Sequence, residues 1–266
     1  MEALRIREPA VAGTFYPGDP EELMRIVARC LEEGRRRLRD GVAPKAMIVP
    51  HAGYVYSGPI AGTAYASLER LRGAIERVVL LGPSHRVAFR GLALSSADRW
   101  RTPLGDVPLD RAGAAALAKL PQVRFFEAAH ADEHSLEVQV PFLQTVLGDF
   151  TLLPIVAGDA TPAEVAAVME AAWGGPETLI AVSSDLSHYY DYATARTLDH
   201  ATSGAIEALR PDGVDDEGAC GRVPVRGLLV AARHHGLAAH TLDLRSSGDT
   251  AGPRDRVVGY GAYVFH

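Results

Sequence analysis

The chain has 266 residues, 47% of them hydrophobic, 23% charged and 7% aromatic. This is enough apolar sequence for one sizeable core, and 26 Gly with 17 Pro exclude collagen-like and disordered classes. Lys and Arg number 27 against 33 Asp and Glu, a net charge of -6 that argues against a dominant nucleic-acid groove.

The opening MEALRIREPAVAG is broken by Arg5, Arg7, Glu8 and Pro9, so it reads as neither signal peptide nor membrane span. Two cysteines, Cys30 and Cys220, cannot build a disulfide framework, and a reducing cytoplasm is the expected compartment. A helical pattern covers 20–37, with Cys30 as packing and the Arg-rich piece Gly34–Arg39 as a solvated face. An apolar run at 46–50 stops at His51, and a helix is expected over 59–71 with Ile60, Ala64, Leu68 and Leu71 on one face. Val78 to Leu81 form the next run, ended by Gly82 and Pro83. Further runs fall at 91–95, 151–156, 178–183, 238–244 and 257–265, with helical segments at 110–119, 134–147, 162–173, 193–209 and 223–235.

Continuous apolar runs suit strands covered on both faces, and their alternation with helices predicts one α/β domain over 1–266. Its sheet is expected to be mixed, mainly parallel at the centre and flanked by helices, with the last two runs closing as a hairpin or edge addition. In such sheets, ligands bind beyond the carboxyl ends of the strands. His51 follows the run at 46–50 in PHAGYVYSG, His85 follows 78–82 in GPSH, and Asp185 and His188 follow 178–183 in SSDLSH. Histidine is the commonest transition-metal ligand and the usual acid or base at neutral pH. Three strand ends carrying histidine therefore make a candidate site, provided those strands are neighbours.

Cys220, in EGACGRVP, precedes a helix expected from Val223, a position that favours the thiolate. The segment HADEHSLEVQVPF supplies His130, Asp132, Glu133, His134 and Glu137 without the HExxH spacing. Asp132 there reads as an N-cap, with Glu133 and Glu137 near the positive end of the helix; a supporting or substrate-pocket role for Glu133 and His134 has equal weight. Tyr54, Tyr56, Tyr189 and Tyr190 lie near these histidines, where they can stack on or hydrogen-bond an aromatic ligand, a structural role having equal weight. No GxSxG elbow or Walker A sequence is present.

The ordered motifs REPAVAGTFYP, PHAGYVYSG, GPSH, WRTPLG, EHSLEVQVPF, SSDLSHY and ACGR resemble the Memo family, also known as the B component of the AmmeMemoRadiSam system. The resemblance runs from about Arg7 to Phe265. It implies a fold similar to the class III extradiol dioxygenases, which hold non-haem Fe(II). It also implies His51, His85 and Cys220 as metal-contacting residues, His188 as acid/base, and Asp185 beside it. A thiolate where those dioxygenases use a carboxylate is softer and favours copper or zinc more, so ring cleavage does not follow from the shared fold. The expected function is a metal-dependent redox enzyme, with Fe(II) first and copper or zinc as alternatives, acting on a small molecule. Asp185 is expected to orient His188. A zinc hydrolase is one alternative. The other is a non-catalytic binding partner of radical-SAM and other AmmeMemoRadiSam proteins.

Overall fold

The computed structural model describes residues 4–38 and 43–266, so Arg39 of the Arg-rich piece lies outside the described residues. From the N-terminus come strand β1 (Ile6–Arg7), helix α1 (Pro20–Arg37), β2 (Ala46–Val49), α2 (Tyr54–Ala66) and β3 (Arg77–Pro83). Next are β4 (Leu92–Leu94), β5 (Arg99–Thr102), β6 (Gly105–Pro108), α3 (Arg111–Leu117), β7 (Val123–Phe125), α4 (Ala128–Ala131) and α5 (Val140–Leu147). The rest comprises β8 (Thr151–Ala157), α6 (Pro162–Ala172), β9 (Thr178–Ser183) and β10 (His188–Tyr190). It ends with α7 (Tyr192–Glu207), α8 (Arg222–His234), β11 (Ala239–Ser246) and β12 (Val257–Phe265).

The main sheet runs β10-β12-β2-β9-β3-β8-β4-β7, with β11 also on β12. Its centre, β2-β9-β3-β8, is parallel, while β12 joins β2, and β4 joins β8, antiparallel. This is the mixed, helix-flanked α/β architecture the sequence predicts, and β11 and β12 form the expected antiparallel C-terminal pair. Successive strand residues face opposite layers. Met47, Val49, Val78 and Leu80 enter a core with α1, α2 and α5, whereas Ile48, Val79 and Leu81 enter one with α6 and α8. Both faces are covered, which is why these strands read as unbroken apolar runs.

Helix α1 matches its predicted span. Asp19 accepts a hydrogen bond from the Glu22 N–H, Pro20 opens the first turn, and Leu23, Val27, Cys30 and Leu31 are buried. Arg35 and Arg36 on its last turn are exposed and pair with Glu32 and Glu69. Its close approach to α2 depends on two glycines, since a Cβ at Gly34 would collide with the Gly62 backbone and one at Gly62 with the Cys30 carbonyl.

Two predicted helices begin elsewhere. Helix α2 starts at Tyr54, with Pro59 inside it, and 69–71 form a separate 3-10 turn. The helix expected from 134 starts at Val140 after a 3-10 turn over Glu137–Gln139, and Asp132 closes α4 instead of capping a following helix. Glu133 and Glu137 are buried, because their carboxylates bond to other segments. Glu137 accepts from Arg7 Nη1 at 2.7 Å, from the Ala10 and Val11 N–H groups, and from the Tyr16 hydroxyl at 2.7 Å. This carboxylate ties the N-terminal segment, and the small sheet β1-β5-β6, to the 130–139 region.

Candidate metal centre

In the sheet β9 lies between β2 and β3, all three parallel, so their carboxyl ends form one edge. That adjacency brings His51, His85, Asp185 and His188 to the lining of a single cavity of about 610 Å³, joined by His134. The imidazoles of His51, His85 and His134 each offer a nitrogen, and these donor atoms all lie within 4.8 Å of one another. Ring centroids are 5.2 Å apart for His51–His85 and 4.7 Å for the stacked His85–His134 pair.

Neighbouring hydrogen bonds orient two of the three rings. The Ser183 hydroxyl donates to the Ser135 carbonyl at 2.6 Å and accepts from Gln139 Nε2 at 2.8 Å. With its proton committed, Ser183 Oγ accepts from His51 Nδ1–H at 2.9 Å, which leaves the ring's lone pair on Nε2, facing Cys220 Sγ. Glu133 Oε1 accepts from His85 Nδ1 at 2.9 Å, and Glu133 Oε2 from the His85 backbone N–H at 2.6 Å. Burial pushes the Glu133 carboxyl up, but the bonds from His85, and one from the Ser135 N–H, hold it at about 2. A carboxylate on Nδ1 is the usual way to present Nε2 to a metal. The His134 Nδ1 is buried with no hydrogen-bond partner, standing 3.4 Å from Glu133 Oε1 without hydrogen-bond geometry.

Burial, reinforced by the neighbouring histidines, holds His51 well below the ordinary imidazole range. Burial likewise pulls His134 down to about 4, against the pull of Glu133. Both rings are thus neutral at pH 7, the form that donates to a metal. Three converging imidazoles, with an orphaned buried nitrogen among them, fit a transition-metal ion.

Cys220 Sγ lies 3.3 Å from His51 Nε2 and accepts the Asp185 backbone N–H at 3.3 Å. Gly221 permits this approach, since a Cβ there would stand 2.7 Å from the Ser183 carbonyl. Nitrogen and sulfur donors on one tetrahedral zinc stand about 3.5 Å apart, so Cys220 could share an ion with His51. Two findings amend the sequence expectation. Among the described residues, the donors within mutual reach are the imidazoles of His51, His85 and His134, while Cys220 lines a smaller cavity with Ser84, Phe89 and Asp159. In addition, burial, and then the Asp185 carboxylate, push the Cys220 thiol far above its ordinary range, outweighing the helix terminus. A bound cation would reverse that balance.

Asp185 is buried, and its carboxylate accepts the His51 backbone N–H at 2.7 Å. Burial raises it to about 6, partly countered by that bond. It does not orient His188. The His188 Nδ1–H donates to the Leu186 carbonyl at 2.8 Å, so the lone pair of the neutral ring is on Nε2. Tyr54, read as a pocket residue, is buried against Phe142 and donates to the Val138 carbonyl at 2.6 Å. The tyrosines lining the histidine cavity are Tyr56, Tyr189 and Tyr260.

The Memo-like protein family model matches residues 7–264. The chain belongs to the Memo family. Among curated Memo relatives, the "MEMO1 family protein" of Ignicoccus hospitalis is 38% identical, the match covering 98% of each chain. That of Aquifex aeolicus is also 38% identical, over 98% of this chain and all of its own. The Methanopyrus kandleri "MEMO1 family protein MK0963" is 36% identical over 97% of this chain and 98% of its own. An uncharacterized Escherichia coli K12 protein, JW3007, shares the fold at TM-score 0.56, with 14% identity over 82% of this chain and 98% of its own.

Within this Memo-family site, sequence reasoning missed Ser183, Ser135 and Gln139 as the supports of His51. All three stand inside motifs quoted for other residues, SSDLSHY and EHSLEVQVPF, but a polar side chain aimed at an imidazole leaves no spacing signature. Arg86 and Arg256, which also line the cavity, carried no pattern either.

Proposed function

We propose that this Memo-family protein is a metal-dependent redox enzyme acting on a small molecule. His51, His85 and His134 would hold non-haem iron or copper, with Cys220 as an adjoining sulfur donor. The observation that carries this reading is the convergence of three imidazoles, two of them with Nδ1 committed to a fixed acceptor. When bound, such an ion supplies Lewis acidity and one-electron chemistry. The chain's own residues do the remaining work. Glu133 and Ser183 hold the rings in register, and His188, its Nδ1 committed to a carbonyl, lines the cavity where Nε2 of the neutral ring can take a proton from a bound hydroxyl. Asp185, beneath the His51 backbone, can hold or release a proton beside it. The likeness in fold to class III extradiol dioxygenases that the Memo resemblance implies supports an oxygen-using reaction, and Cys220 speaks against transferring ring cleavage itself. Three imidazoles with a free position are equally a zinc set, and zinc would make the protein a hydrolase.

The test is anaerobic purification followed by metal analysis of wild type, His51→Ala, His134→Ala and Cys220→Ser. Bound metal is expected in the wild type, lost in both histidine variants and weakened in Cys220→Ser. Undiminished occupancy in both histidine variants refutes the site. Iron or copper with dioxygen consumption selects the redox reading, and a colourless zinc protein selects hydrolysis.

A further inference from the structure

We propose that the histidine cavity takes an organic anion, its charged group held at the mouth by Arg86 and Arg256. The proposal rests on the metal-site reading only for where the rest of the ligand points.

Although the chain carries a net charge of -6, the ionic groups lining this cavity are two guanidiniums and one carboxylate. The carboxylate, Asp185, is buried and engaged with the His51 N–H, so it does not neutralise the mouth. Arg86 sits on the loop that follows β3, and Arg256 immediately precedes β12, so the cations come from separate segments. Among the described residues neither guanidinium forms an ion pair or a hydrogen bond, whereas Arg7, Arg101 and Arg245 all meet carboxylates. Unpaired arginine beside a cavity matches the planar, forked geometry of a carboxylate or phosphate.

Arg256 is also held in place. Its guanidinium lies 5.1 Å over the Tyr189 ring, and Tyr189 is a non-glycine residue at φ 64° with its ring 5.8 Å from that of His188. A backbone in that region persists only where the surroundings impose it, and such residues gather at ligand clamps. Tyr189 is 64% exposed, so hydrophobic burial does not explain its placement. Phe15, Tyr56 and Tyr260 line the same cavity and offer flat apolar surface to the body of the ligand. A cavity of about 610 Å³ is of the size that encloses small organic ligands.

Calorimetric titration of the full chain with benzoate, hexanoate, phenyl phosphate and neutral benzamide tests this. Benzoate is expected to bind at least about tenfold more tightly than benzamide, with an affinity that falls as salt rises. Arg86→Gln and Arg256→Gln should each remove about tenfold of the benzoate affinity, and Arg86→Lys should restore part of the loss. Tighter phenyl phosphate assigns a phosphate end, tighter benzoate a carboxylate end, and weaker hexanoate supports the flat wall. Equal binding of benzoate and benzamide, or unchanged benzoate affinity in Arg256→Gln, overturns the proposal. Metal content separates the two readings. Arginine-dependent benzoate binding to a chain that never holds metal upholds the anion site and sinks the metal centre. A metal-loaded chain indifferent to ligand charge does the reverse.

Discussion

Replacing Glu137 by alanine should be among the most damaging single changes outside the hydrophobic core. Its side chain is 1% exposed and that of Arg7 is 4% exposed, with 2.7 Å between Nη1 and Oε2. Removing one partner of a buried pair costs about 3–5 kcal/mol, because the other charge stays buried without compensation. Arg7 would keep only its bonds to the carbonyls of His130 and Glu133, and the Ala10 and Val11 N–H groups and the Tyr16 hydroxyl would also lose their acceptor. The segment can partly peel into water, which caps the loss near the upper end of that range. At about 2–4 °C per kcal/mol for a domain somewhat smaller than this one, Tm should fall by about 6–20 °C. Urea unfolding followed by circular dichroism at neutral pH measures the change. Arg7→Met combined with Glu137→Leu should recover part of it, since an apolar pair carries no stranded charge, although the N–H groups remain unpaired. A loss under about 1 kcal/mol for Glu137→Ala would refute the view of this carboxylate as a buried clamp.

Other expectations follow from the same contacts. Glu133→Gln should weaken metal binding about 10–100-fold, read by competition with a chelator, because His85 loses the carboxylate that fixes its ring. Acidification should destabilise the protein, since burial holds both His130 and His134 at about 4 against an ordinary 6.5. The unfolded chain takes those protons first, so their contribution is complete above about pH 6.5 and declines toward about pH 4, at up to ~1.4 kcal/mol per pH unit for each ring. Asp185, raised to about 6, works in the opposite sense in that window and offsets part of the slope. Urea midpoints that rise on acidification from pH 7 to pH 5 would contradict this. Gly62→Ala should cost about 1–3 kcal/mol, because the new methyl meets the Cys30 carbonyl where α1 crosses α2, and thermal melts will report it.

How much of this was legible in the sequence depended on where each signal lay. The strands at the sheet centre and helix α1 were readable because hydrophobic runs and capping residues such as Asp19 are local. The strand-end rule found His51, His85, Asp185 and His188, and the sheet order β2-β9-β3 supplied the adjacency it needed. The strands β5 and β6 were not legible, since RWRT and GDVP are four residues each and bury one large apolar side chain apiece, Trp100 and Val107. They are held by pairing with each other and with β1, and by Arg7 stacked 4.4 Å over Trp100. The helix start expected at Asp132 is absent for a related reason. The acidic residues there looked like those of a helix start, but they bond to backbone groups far away in sequence, and no periodicity records that. Cys220 shows two effects in competition, with burial overruling the helix terminus.

The insertion of β9 between β2 and β3 has a consequence for biogenesis. The strands that deliver His51 and His85 cannot take their final spacing until residues 178–183 have been made and have slotted between them. Cys220 comes later still, 169 positions after the imidazole it faces. An emerging polypeptide therefore offers scattered histidines but no assembled pocket, and the proposed ion could be held only after residues 178–183 have taken their place.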